Sequence, residues 1–172
     1  MSETLTETTF EDQIATRVWL GLLDTDRETL YFVSIAARMR KLSNLTNVFI
    51  AFGASGAVVT TLGGLPPVVA ICLNLLVALV AIGSRVYGHA EKAATAAGVA
   101  KECSALAREW RRLWAEMSRM DGDEVLRRCE DLERKATDIV DVVPREIPLD
   151  ESLNQECAER AYETVQHEYA SS

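Results

Sequence analysis

The sequence predicts an all-α membrane protein, a two-helix transmembrane hairpin whose helices extend into a cytoplasmic helical bundle, assembled as a homo-oligomer. Three observations carry this. All 44 charged residues lie outside residues 42–84, a block of 43 residues between Lys41 and Arg85 that also lacks histidine. A strong breaker, Gly63-Gly64-Leu65-Pro66-Pro67, divides that block nearly in half. On both sides of it, apolar residues recur at the three- and four-residue intervals of amphipathic helices.

Residues 1–41 form the first segment, N-terminal cytoplasmic amphipathic helices. Phe10, Ile14, Val18 and Leu22 are spaced by four, and Asp24-Thr25-Asp26 then predicts a turn. From Arg27 the pattern restarts with Leu30, Val33 and Ala37 and runs unbroken into the apolar block. The acidic start, MSETLTETTFED, has no basic region of a cleavable secretory signal, so the first apolar stretch is expected to target the chain and stay in the bilayer.

Residues 42–84 form the hairpin, with spans of about 45–62 and 68–84 and a turn at 63–67. Segments of 18 and 17 residues are each about 26 Å long as helices, close to a hydrocarbon core of ~30 Å. A chain of 172 residues is too short to surround two such all-round apolar helices with soluble structure. Arg38, Arg40 and Lys41 precede the first span, Arg85 and Lys92 follow the second, and the turn has no positive charge, which places both termini in the cytoplasm. Arg38, Arg40, Lys41 and Arg85 are thereby expected at the lipid headgroups.

Small and polar residues inside the spans are the candidate functional positions. In the first span Gly53, Gly56, Ala57 and Thr60 belong to small-x-x-x-small pairs that permit close helix packing. In the second, Ala70, Asn74, Ala78, Ala81 and Arg85 fall on one stripe at spacings of 4, 4, 3 and 4. Asn74, Ala78 and Ala81, with Ser55 and Thr61, are the candidates to line a water path or to bond a neighbouring helix, and Asn74 is expected to face protein.

Residues 85–120 predict a continuous membrane-proximal helix. Its seam runs Ala96, Val99, Cys103, Leu106, Trp110, Leu113, Met117 and Met120 at 3, 4, 3, 4, 3, 4, 3, and Val99 to Met117 are candidates for an oligomer seam; packing within the chain's own bundle fits the same spacing. Residues 121–172 predict acidic C-terminal helices. Asp121 and Glu124 have capping-box spacing, Val125, Cys129, Leu132, Ala136, Ile139 and Val143 form a second seam, and Pro144 and Pro148 end it. Asp150 is placed to cap a last helix with Leu153, Cys157, Ala161 and Val165 on its apolar face. Net charge runs −2 over residues 1–41 (5 basic, 7 acidic), +3 over 85–120 (7 and 4) and −9 over 121–172 (6 and 15).

No motif for chemistry emerges. Cys72, Cys103, Cys129 and Cys157 lie 31, 26 and 28 residues apart with no C-x-x-C pair, which predicts four reduced, buried thiols and no zinc site. His89 and His167 are 78 residues apart, and there is no phosphate loop, nucleophile elbow or EF-hand loop. The GASGA run lacks the strand, His and Asp that a nucleophilic serine requires. No enzyme, cofactor or metal is expected, and a pI near 4.8 without a basic aromatic platform argues against nucleic acid.

Trp19-Leu20 in the first helix, Ala36-Ala37-Arg38-Met39-Arg40 before the hairpin, the uncharged hairpin itself, and Ser84-Arg85 leading through His89-Ala90-Glu91 into the helix through Leu106 together resemble the SLATT family over roughly residues 14–120. That resemblance implies a bacterial inner-membrane protein with two spans and cytoplasmic helices. It implies further an oligomeric pore-forming effector in conflict or anti-phage systems, under control of a cytoplasmic regulatory partner. It carries over no catalytic residue. A non-conducting, membrane-anchored oligomeric scaffold or adaptor for a cytoplasmic partner accounts for the same organisation.

Overall fold

A computed structural model describes residues 3–62, 66–141, 143, 147 and 149–170; for helical residues 3–11, 54–62, 67, 70 and 170 it describes the backbone path only. The described residues are helical, with no strand: α1 Glu3–Leu62, α2 Pro67–Tyr87, α3 His89–Glu116, a 3-10 turn Met117–Arg119, α4 Gly122–Asp141 and α5 Glu151–Ala170. The chain divides into two units, residues 1–34 with 96–172, and residues 35–95.

The first unit is a bundle of the N-terminal part of α1 with α3, α4 and α5. Its core takes Ile14, Val18 and Leu22 from α1, Leu106, Trp110 and Leu113 from α3, Val125, Cys129 and Leu132 from α4, and Val165 from α5. Leu153, Cys157 and Ala161 are buried too, so α5 turns its expected face inward. The Leu153 N–H donates to Asp150 Oδ1 at 3.0 Å, which is the expected cap. The Asp150 N–H donates to the Tyr31 hydroxyl at 3.0 Å, tying the start of α5 to α1. Trp19, Trp114 and Tyr169 pack as a triangle of rings with centroids 5.5–5.7 Å apart.

Of the two packings that the α3 spacing fits, the chain adopts the one within its own bundle. Val99, Cys103, Leu106, Trp110 and Leu113 are all buried in the single chain, and Met117 packs against the same core. Heptad spacing reports an apolar face and not whose helix covers it; here α1, α4 and α5 cover it. Gly21 shows how closely. A Cβ built there would lie 2.6 Å from Trp110 Cζ2, so α1 reaches the indole only because residue 21 has no side chain.

Three expectations are corrected. The turn at Asp24-Thr25-Asp26 does not exist, since α1 runs through it. Thr25 is buried and its Oγ1 donates to the Gly21 carbonyl at 2.7 Å, Asp26 meets Arg111 Nη2 at 2.6 Å, and Asp24 meets Arg27 at 3.2 Å. Residues that would open a helix in isolation are here satisfied without opening it. Next, Tyr31, Phe32, Ile35 and Ala36 are the buried residues, while Val33 and Ala37 are exposed, a different face from that expected. Finally, the helix after the hairpin is not continuous through residue 88. Gly88 takes the left-handed conformation, φ 57° and ψ 33°, ending α2, and the Lys92 N–H donates to its carbonyl at 2.9 Å to begin α3.

Candidate functional site

The candidate site lies in the second unit, residues 35–95, where α1 continues to Leu62 and α2 follows. Pro67 opens α2, where a missing N–H costs nothing, and Arg85 sits in its last turn, next to the helix's negative end. Between residues 42 and 53 the half-buried residues of α1 are Ser43, Thr46, Ile50 and Gly53, at spacings of 3, 4 and 3; those of α2 include Leu73, Val77, Val80 and Ser84, at 4, 3 and 4. These are the faces the two helices turn inward. At Gly53 the approach is so close that an added Cβ would overlap the Val77 side chain.

The outward faces are apolar. Leu45, Val48, Phe49 and Phe52 on α1, and Ile71, Leu75, Leu79, Ile82 and Val86 on α2, are all exposed. The helical stretch Ile71–Arg119 contains an 18-residue window of mean hydropathy 1.8 with none of it buried, long and apolar enough to cross a membrane. A contiguous uncovered apolar surface of this kind marks a site of contact with lipid or with other protein.

Asn74 is exposed, as is Ala78, while Ala81 is half-buried and Arg85 is exposed. The Asn74 amide has no hydrogen-bond partner among the described residues. Each of these positions is one residue beyond an inward-facing one, so the stripe lies about 100° around α2 from the packed face. Asn74 therefore does not face protein within its own chain. Ser55, Thr61, Gly56, Ala57 and Thr60 lie outside the residues whose side chains are described, as does the turn at 63–65.

Arg38, Arg40, Lys41 and Arg85 are exposed at the charged borders of the block. Past Arg85, the rings of Tyr87 and His89 stack with centroids 5.9 Å apart at 10°, bracketing Gly88, and His89 Nδ1 is buried without a hydrogen-bond partner. Sequence reasoning missed Gly88 as a cap, although a glycine after a basic last turn is a recognised stop signal. It missed the Gly53–Val77 contact, for which one valine among the five of an apolar helix gives no signal.

The bundle's polar groups are arranged for structure. Arg17 Nε and Nη2 hold both carboxylate oxygens of Glu133 at 2.6 Å, and this hydrogen bonding keeps Glu133 below the usual carboxylate range. Burial pushes the carboxyls of Asp26 and Glu28 up, against the pull of Arg111 and Arg27 respectively. Burial, with Glu28 nearby, pushes the Cys103 thiol up to about 12, the reverse of what a nucleophile needs. Cys129 and Cys157 are buried, whereas Cys72 is exposed on α2, which corrects the expectation of four buried thiols. Among the described residues no cluster of three His, Cys, Asp or Glu is placed to hold a metal ion. No protein-family model, curated protein or solved structure matches the chain.

Proposed function

We propose that the chain is a homo-oligomeric pore of the bacterial inner membrane, its two apolar segments crossing the bilayer as a hairpin with both termini in the cytoplasm. The observation that carries this reading is Asn74, a strongly polar side chain left uncovered on an apolar surface together with Ala78 and Ala81. In hydrocarbon an unpaired amide is costly, and it is met by another helix or by water. Two helices cannot enclose a water path. Several copies, each presenting the Asn74 stripe to a common axis, can do so. The resemblance to the SLATT family supports the same reading, and with it an effector role under a cytoplasmic regulator.

Single-channel recording of the purified full-length protein in planar bilayers tests the proposal. Discrete conductance steps, reduced or abolished by Asn74→Leu, are expected; a chain that inserts and oligomerises yet passes no current overturns it. The same uncovered Asn74 favours one alternative, a non-conducting scaffold in which the amide bonds a neighbouring helix. In that case the unmodified protein assembles yet passes no current, and Asn74→Leu changes assembly alone.

A further inference from the structure

We propose that the face of α1 formed by Ala37, Arg40, Lys41, Asn44, Leu45 and Val48 binds a single acidic phospholipid, with the phosphate on Arg40 and Lys41 and an acyl chain along Leu45 and Val48. The proposal rests on the reading that the hairpin crosses a bilayer. These six residues form one continuous stripe along α1, at spacings of 3, 1, 3, 1 and 3. Their order along the helix matches the order of groups in a lipid. From Arg40 to Val48 is eight residues, about 12 Å, passing from cations through an amide to exposed apolar side chains.

Charge separates this face from the rest of the molecule. Residues 35–95 carry five basic side chains and one acidic one, a net charge of +4, whereas the other residues carry 13 and 25, a net charge of −12. The bundle's cations are largely paired: Arg17 with Glu133, Arg111 with Asp26, Arg128 with Glu116 and Lys135 with Glu109. Arg40 and Lys41 make no ion pair among the described residues, although the chain as a whole is strongly acidic. Two adjacent cations beside exposed apolar side chains are complementary to an anionic headgroup with its chain attached.

The test is native mass spectrometry of the full-length protein in mild detergent with added phosphatidylglycerol or phosphatidylcholine. Retention of phosphatidylglycerol over phosphatidylcholine is expected, and R40Q/K41Q should weaken it roughly 30-fold, at ~1 kcal/mol for each basic residue. R119Q/R127Q, which removes the same charge at exposed positions of the first unit, should leave it unchanged. Equal retention of the two lipids by the unmodified protein overturns the proposal, as does equal loss in the two double variants. So does full displacement by millimolar inorganic phosphate, which would mark a site for a free anion. Alkaline carbonate extraction of expressing membranes separates the two readings: release of the chain removes the hairpin and the lipid site together. Retention without lipid selectivity removes the lipid site alone.

Discussion

Replacing Gly21 with alanine adds one methyl group at the most tightly approached point of the bundle. The new carbon would stand 2.6, 2.7 and 2.8 Å from Trp110 Cζ2, Cη2 and Cε2, where carbon atoms rest at about 3.5–4.0 Å. The indole is a rigid ring, only 1% exposed and held in the core by neighbours on α1, α3 and α4, so it cannot swing aside as a flexible chain end would. Overpacking of this kind costs about 1–3 kcal/mol. Against it, alanine is better than glycine inside a helix by ~1 kcal/mol, which leaves a net loss of up to about 2 kcal/mol. Gly98 on α3 is the control: a Cβ there meets nothing within 4 Å, so Gly98→Ala should stabilise by up to ~1 kcal/mol. All three tryptophans, Trp19, Trp110 and Trp114, lie in this bundle, so fluorescence during urea unfolding of the full chain in detergent reports on it. Opposite shifts of the midpoint at unchanged slope are expected. If Gly21→Ala stabilised as much as Gly98→Ala, α1 would not lie against Trp110 and the α3 seam would be open to a second chain.

Gly53→Ala should loosen the hairpin, and adding Val77→Ala should restore the lost stability, measured as thermal unfolding in detergent; two independent losses that simply add would remove the contact. Glu133 is held below its usual value of 4.5, so its bond with Arg17 supports the bundle above that pH and the support fades as pH falls through the lower folded-state value. With both side chains more than a third exposed the effect is under ~1 kcal/mol, and Arg17→Ala should abolish that part of the acid dependence between pH 7 and 3 in unfolding midpoints. Asp26 is raised by burial and acts with the opposite sign, its contribution being complete below its usual 3.8 and lost as pH rises through the folded-state value; Asp26→Asn should remove that opposing trend in the same measurement. Cys103, with its thiol at about 12 against an ordinary 9.0, should react with iodoacetamide roughly a thousandfold more slowly in the folded chain than after unfolding, by mass-resolved labelling.

The helices were legible because each writes its core face in its own spacing. Val125, Cys129 and Leu132 on α4 and Leu153, Cys157, Ala161 and Val165 on α5 are buried as their periodicity requires, and Asp150 caps where its position indicates. What was not legible depends on partners distant in the chain. Asp24-Thr25-Asp26 reads as a turn because its residues favour turns locally; Arg111, 85 residues beyond Asp26, satisfies one of them and removes the reason to break. Around Leu30-Tyr31-Phe32-Val33 four consecutive apolar residues admit two helix faces, and the choice falls to the aromatic pair, which leaves Val33 exposed. The candidate site divides the same way. Asn74 announces itself by type, whereas its lack of cover depends on which face α2 turns toward α1, fixed at Gly53 and Val77.

With the α3 seam filled by its own chain, the proposed homo-oligomer is expected to be organised by another surface, and the exposed apolar segments offer one. Asn74→Leu is therefore the discriminating substitution for assembly as well as for conduction. An interhelical bond from such an amide contributes about 0.6–2 kcal/mol, a modest amount for one contact. In a closed ring each subunit makes and receives the same contact, so the loss is repeated once per copy and the assembly equilibrium shifts by the sum. Native mass measurements in mild detergent should then show Asn74→Leu moving the population toward smaller species, while Lys101→Gln and Arg108→Gln, on exposed positions of α3, leave the stoichiometry unchanged. The reverse pattern, with stoichiometry set by α3 and indifferent to residue 74, would return assembly to the cytoplasmic helices and leave the polar stripe with no part in it.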